Sequence, residues 1–168
     1  LPLCDGRSIG SLQAASRTAG GDVIREVVLT ERMRVDDEPH LWSDVFHNAE
    51  FGIAIVEPEG NTMRYVNEAF AALHGMSVDE VQGMSLFDMY PPAEQERIAE
   101  LQATSDRVGD VDYEADRIRK DGSSFAAHIH STSVRRGANE VLYRISTVRD
   151  ITAQRRLEAE LDQSARPE

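Results

Sequence analysis

Apolar residues change their spacing several times along the chain, and each change marks an element. Leu41, Trp42, Val45 and Phe46 recur at helical spacing and predict an amphipathic turn or two. The charged stretch before them, Asp-Asp-Glu-Pro-His at 36–40, reads as a linker. Phe51 to Val56 predicts a strand with Ile53 and Ile55 on one face. Glu57 to Asn61 is rich in turn formers, and Thr62 to Val66 predicts a second strand, so the two form a hairpin.

Asn67 offers a side-chain acceptor to a free backbone N–H, as helix N-caps do. Phe70, Leu73 and His74 follow at helical spacing, and Gly75 ends that helix. Ser77 with Glu80 makes a capping box for another short helix, ended by Gly83. Pro91-Pro92 opens a longer helix from Ala93 to about Arg107, with Ile98 and Leu101 as a narrow apolar stripe. Beyond it the period becomes two. Val111, Tyr113 and Ala115 alternate with Asp112, Glu114 and Asp116. Asp121-Gly122 predicts a tight hairpin turn. Phe125, Ala127 and Ile129 then share one face, while Ala126, His128 and His130 share the other. Gly137 marks the next turn, and Val141 to Val148 forms the last strand. The residues from Ala153 to Leu161 are good helix formers.

The order is two strands, several short helices, three strands and an exiting helix. With Tyr65-Val-Asn67, Ala69-Phe70, Gly75, Glu80-Val-Gln-Gly83, Arg119-Lys-Asp-Gly122, Phe125 and Val148-Arg-Asp-Ile-Thr152 in sequence, residues 41–152 resemble a PAS domain with its PAC half. The match covers about two thirds of the chain. It implies an α+β fold, a five-stranded antiparallel sheet with short helices packed on one face, flanked by helical linkers. It also implies a ligand pocket between sheet and helices. Here Phe70, Leu73, His74, Met84, Phe87, Met89, Ile98, Leu101, Tyr113, Phe125 and Tyr143 would line it. Each of these also reads as plain core, and Met84 and Met89 suit either use. Arg117 and Arg144 are candidate anchors for an acidic ligand, with a solvated Arg as the ordinary reading.

The resemblance assigns signal relay to Asp150 and Thr152, which join the last strand to residues 153–168, the start of a signalling helix. Leu157 and Leu161 stand four apart, enough to begin a coiled-coil seam and equally consistent with a frayed surface helix. Residues 1–35 form an N-terminal extension. Gly6 and Gly21 are spaced as Gly122 and Gly137 are, so residues 5–33 read either as the last hairpin of a preceding PAS unit or as any hairpin with glycine turns.

Charge and composition narrow the partners. The chain has 168 residues, 40% hydrophobic and 29% charged, with a net charge of −12. That balance is globular, and it opposes nucleic acid or direct contact with an anionic membrane. A single cysteine, Cys4, excludes an internal disulfide and fits a cytoplasmic setting. The parent protein is free to carry a membrane anchor, because the chain does not begin with Met and reads as an excerpt.

No catalytic constellation is present: there is no nucleophile elbow and no phosphate-binding glycine loop. His128-Ile-His130 places two imidazoles on one strand face, but spacing fixes no third ligand, so no metal site is assigned. Cofactor identity stays open. Flavin photoreceptors of this family use a reactive Cys in the segment matching Gly83 to Met89, which has none, so covalent flavin chemistry is excluded. Haem and non-covalent flavin are disfavoured, the former because Ala93 to Arg107 lacks a His. These readings point to a sensory module of a bacterial signalling protein, with a histidine kinase or diguanylate cyclase as the adjoining output domain. The alternatives are a ligand-free dimerisation module, with Leu41, Trp42, Val45 and Phe46 as the homodimer surface, and a small metal-dependent enzyme using His128 and His130.

Overall fold

The computed structural model describes residues 38–164. Helix α1 spans Glu38–Asn48, strand β1 Gly52–Glu57 and strand β2 Thr62–Val66. Short helices α2 (Glu68–Leu73) and α3 (Val78–Val81) follow, then the longer α4 (Gln95–Val108). Strands β3 (Asp110–Ile118), β4 (Ser124–Arg136) and β5 (Glu140–Asp150) lead to the exit helix α5 (Thr152–Ser164). The strands form one antiparallel sheet in the order β2-β1-β5-β4-β3. The two chain-order hairpins therefore meet through β1 and β5, the first and last strands.

Two boundaries differ from the sequence reading. The segment 36–40 is not wholly linker, because α1 already begins at Glu38. Pro39 falls in the first helical turn, where its missing N–H has no intrahelical role. The long helix begins at Gln95, and Pro92–Glu94 is a separate 3₁₀ turn. The proposed hairpin at 5–33 lies outside the described residues.

Local signals in the middle of the chain act as read. Asn67 caps α2 by accepting from Phe70 N, and Ser77 with Glu80 forms a complete capping box on α3. Gly75 sits at φ +68°, the left-handed region that lets the chain leave α2. Gly52 serves a different purpose: a Cβ there would lie 3.0 Å from Phe70 Cα. The absence of a side chain at Gly52 is what lets α2 lie against β1.

One face of the sheet is covered by α2, α3, α4 and the 3₁₀ turns. Ala54 and Val56 from β1, Tyr113 and Ala115 from β3, Phe125, Ala127 and Ile129 from β4, and Val148 from β5 meet Phe70, Val81, Leu86, Met89, Tyr90 and Ile98 in the core. The alternation in β3 and β4 puts the expected residues inside. In β5 it does not. Arg144, Ser146 and Val148 face the core, so Tyr143, expected in the pocket, stands on the opposite face and is half-buried. In the middle of β5 the inward Arg144 and Ser146 are polar and the outward Tyr143 and Ile145 apolar, which reverses the usual reading of alternation.

Candidate functional site

The interior between sheet and helices is unusually polar for a core. Arg117, the last inward position of β3, is completely buried, as are Asn67, His74 and Ser131. A hydrogen-bonded chain runs from Arg117 along the inner face. Arg117 Nη2 donates to Tyr90 Oη at 2.7 Å, and Tyr90 Oη lies 3.0 Å from Tyr113 Oη. Gln102 Nε2, on α4, donates to Tyr113 Oη at 3.2 Å. Ser131 Oγ donates to Gln102 Oε1, and Ser146 Oγ to Ser131 Oγ, each at 3.3 Å. Burying such groups is tolerable only when they are paired, and here each hydroxyl and amide finds another.

A second polar group closes the far end. Arg144 Nε donates to Asp106 Oδ1 at 2.7 Å and its Nη2 also binds the Asp106 carboxylate. Arg144 Nη1 donates to Asn61 Oδ1 at 2.7 Å, and Ser133 Oγ to Asp106 Oδ1 at 2.8 Å. Arg144 and Ser133 hold the carboxyl of Asp106 below its ordinary range, outweighing the opposing effect of its part burial.

His74 closes the near end. Its Nδ1 lies 2.8 Å from Phe70 O, so that nitrogen carries the proton and Nε2 is left as an acceptor. Arg117 Nη1 faces Nε2 at 3.4 Å. Burial, then the neighbouring Arg117 charge, pushes the His74 pKa down to about 4, so the ring is neutral at pH 7. Its carbonyl accepts from Lys120 N at 2.9 Å, which fastens α2 to the β3–β4 turn. The guanidinium of Arg117 stands 4.5 Å from the Tyr90 ring centroid and 5.5 Å from that of Phe70.

Arg119 carries this region to the exit. Its Nε donates to Leu73 O at 3.2 Å, its Nη1 to Ser124 O at 3.3 Å, and its Nη2 to Asp150 Oδ2 at 3.4 Å. Asp150 Oδ1 in turn accepts from Thr152 N at 2.8 Å. Thr152 Oγ1 accepts from Ala126 N at 3.1 Å, and Ile151 N donates to Ala126 O at 2.9 Å. Farther along α5, Arg155 Nη2 donates to Glu114 Oε2 at 2.5 Å. The first turn of α5 is thus sewn to β3 and β4.

Comparison with known proteins places this architecture. The family profile described as PAS domain matches residues 50–153. The chain belongs to the PAS domain family. Among solved structures, an RNA-binding Light-Oxygen-Voltage receptor superposes with a TM-score of 0.69 at 24% identity, over 81% of this chain and 40% of that one. This chain therefore corresponds to less than half of that receptor. The PAS domain of a Colwellia psychrerythraea protein gives 0.64 at 19% identity, over 70% and 99% of the two chains. A domain of a sensory box sensor histidine kinase/response regulator from Geobacter sulfurreducens gives 0.59 at 17%, over 70% and 97%. At these identities the likeness is one of fold.

Within the PAS core, Phe70, His74, Met89, Ile98, Tyr113 and Phe125 are buried, and Leu73, Met84, Phe87 and Leu101 pack against them half-buried. Tyr143 is not among them. Asp150 and Thr152 stand together at the sheet exit. His128 and His130 lie on the outer face, where both hold Asp112, at 2.7 and 3.0 Å. On α1, Trp42 is exposed while Leu41, Val45 and Phe46 are half-buried. No helix among the described residues is long and apolar enough to cross a membrane.

Sequence reasoning missed Tyr90, Gln102 and Arg119 as site residues. Gln102 was detectable, since Ile98, Leu101, Gln102 and Ser105 fall on one side of α4. Arg117 follows Tyr113 and Ala115 in the same alternation, and only the expectation that Arg seeks water argued against its burial.

Proposed function

We propose that this PAS domain is a regulatory sensor: a small ligand held in the core biases the path of α5, which passes that bias to an adjoining output domain. The observation that carries the reading is a set of contacts from Arg117 to His74, from His74 across the Phe125 ring to Arg119, and from Arg119 to Asp150 and Thr152. A shift of α2 or of the β3–β4 turn alters the anchor of the exit helix directly. A ligand acts on that anchor only by binding its two arrangements unequally. Leu157 and Leu161 are exposed on α5 and are available to a partner helix, as an output linker requires. A histidine kinase or diguanylate cyclase is the output class that suits this arrangement, and the histidine kinase relative supports the first of them.

A ligand-free dimerisation module is the second reading, favoured by exposed Trp42 on α1. Homodimerisation through α1 is compatible with either. Native mass spectrometry and an absorption spectrum of freshly purified protein decide between them. The sensor reading expects a bound small molecule that is released on denaturation. A chain at its bare mass, with no small molecule released, would favour the dimerisation module.

A further inference from the structure

Two arginines are buried under the helices on the inner face of the sheet, and they are treated differently. Arg144 has a counter-ion, Asp106, and its remaining contact goes to Asn61. Arg117 is fully buried, and among the described residues no carboxylate lies within ion-pair distance of it. Its Nε is buried without any hydrogen-bond partner. Its other nitrogens meet Tyr90 Oη and His74 Nε2, both neutral groups, and the rings of Tyr90 and Phe70. Dipoles and ring faces soften the burial of a guanidinium, but they do not neutralise it, and an unpaired buried charge is strongly destabilising.

We propose that the interior holds a small organic monocarboxylate against the guanidinium of Arg117. This deepens the sensor reading and rests on it. A carboxylate matches the guanidinium fork through Nε–H and a neighbouring Nη–H, in the bidentate geometry that such pairs prefer. The charge count favours a monoanion, because Arg119, the nearby second cation, is already engaged with Leu73 O, Ser124 O and Asp150. The side chains packed around the guanidinium favour an apolar or aromatic body, which enters by displacing part of that packing: Phe70 and Tyr90 flank the guanidinium, and Phe125 stacks edge-on against His74 at 5.4 Å. The acceptor nitrogen of His74 and the phenol of Tyr90 then position Arg117 while its free N–H groups meet the ligand.

Thermal unfolding of the full chain in sodium acetate, butyrate, benzoate or phenylacetate, at constant ionic strength, tests this directly, with benzamide as the neutral control. At least one carboxylate should raise the midpoint with concentration, as mass action requires, and benzamide should not. Arg117→Met should fold, since it replaces a buried charge with an apolar chain of similar length, and should bind that carboxylate on the order of tenfold more weakly or worse. Circular dichroism of Arg117→Met checks the fold, and Arg117→Lys, which keeps the charge and loses the fork, should bind with intermediate affinity if the pairing is bidentate. The proposal is overturned if no carboxylate stabilises the protein, if benzamide matches benzoate, or if Arg117→Met binds undiminished. A neutral molecule recovered by native mass spectrometry would overturn the anion and leave the sensor reading standing, whereas absence of any ligand would remove both.

Discussion

Arg119 Nη2 lies 3.4 Å from Asp150 Oδ2, so a residue just beyond β3 holds the residue that ends β5. The same guanidinium binds the carbonyl at the end of α2. One side chain therefore touches a helix over the core, the β3–β4 turn and the sheet exit. On the sensor reading proposed above, this junction is the route by which a change among the helices reaches α5.

Replacing Arg119 with Leu removes that junction. Both partners are about one third exposed, so the ion pair itself contributes little, about 1 kcal/mol or less. The expected result is a near-native urea midpoint together with faster amide hydrogen exchange at Ile151 to Arg155. Unchanged exchange there would show that Arg119 is not what anchors α5.

His74 gives the stability a pH dependence whose sign is fixed. An unfolded His74 titrates near 6.5, and the folded one near 4. Between those values the unfolded chain binds more protons, so stability is full above pH 6.5 and declines as pH falls toward 4. The loss from pH 7 to pH 5 is about 2 kcal/mol. Arg117 and Arg119, the charged groups facing the ring, both oppose its protonation. Carboxylates also titrate at low pH, so the quantity to measure is the urea-derived difference between wild type and His74→Gln. That difference should shrink as pH drops from 7 to 5.

Asn67 satisfies four backbone groups from one buried side chain: it accepts from Ile53 N and Phe70 N and donates to Phe46 O and Phe51 O. Asn67→Ala leaves all four without their partner. Loss of the cap and of the buried pairs should cost about 3 kcal/mol in urea unfolding. Asn67→Asp keeps the acceptor and loses the two donors, and should fall between Ala and wild type.

Asp106 neutralises Arg144, whose side chain is only 6% exposed. Asp106→Leu strands that charge and should destabilise by about 3 kcal/mol. Adding Arg144→Met should recover much of the loss, because the charge itself is gone. A double variant no more stable than Asp106→Leu would contradict this view of the pair.

Much of this fold was legible in the sequence because its signals are local. The Asn67 cap, the Ser77–Glu80 box and the glycine exits need only a few neighbouring residues, and alternation in β3 and β4 is clean. The linker at 36–40 was misread because Pro39 breaks helices in their interior but suits their first turn. Tyr143 was misplaced because hydrophobicity is a poor guide where the core itself is polar: Arg144 and Ser146 point in, and Ile145 and Tyr143 point out. Burial of Arg117 followed from alternation but ran against its charge. The contacts that join Arg119 to Leu73 and Asp150 span 46 and 31 positions, and no local pattern encodes them.

The central claim is that the interior around Arg117 and the anchor of α5 are coupled. Amide hydrogen exchange of Arg117→Met against wild type tests it most directly. The account predicts that protection at Ile151 to Arg155 changes by roughly 0.5–2 kcal/mol, while amides in β2, which lies at the opposite sheet edge from β3, keep their wild-type exchange. Identical exchange of α5 in the two proteins would contradict it.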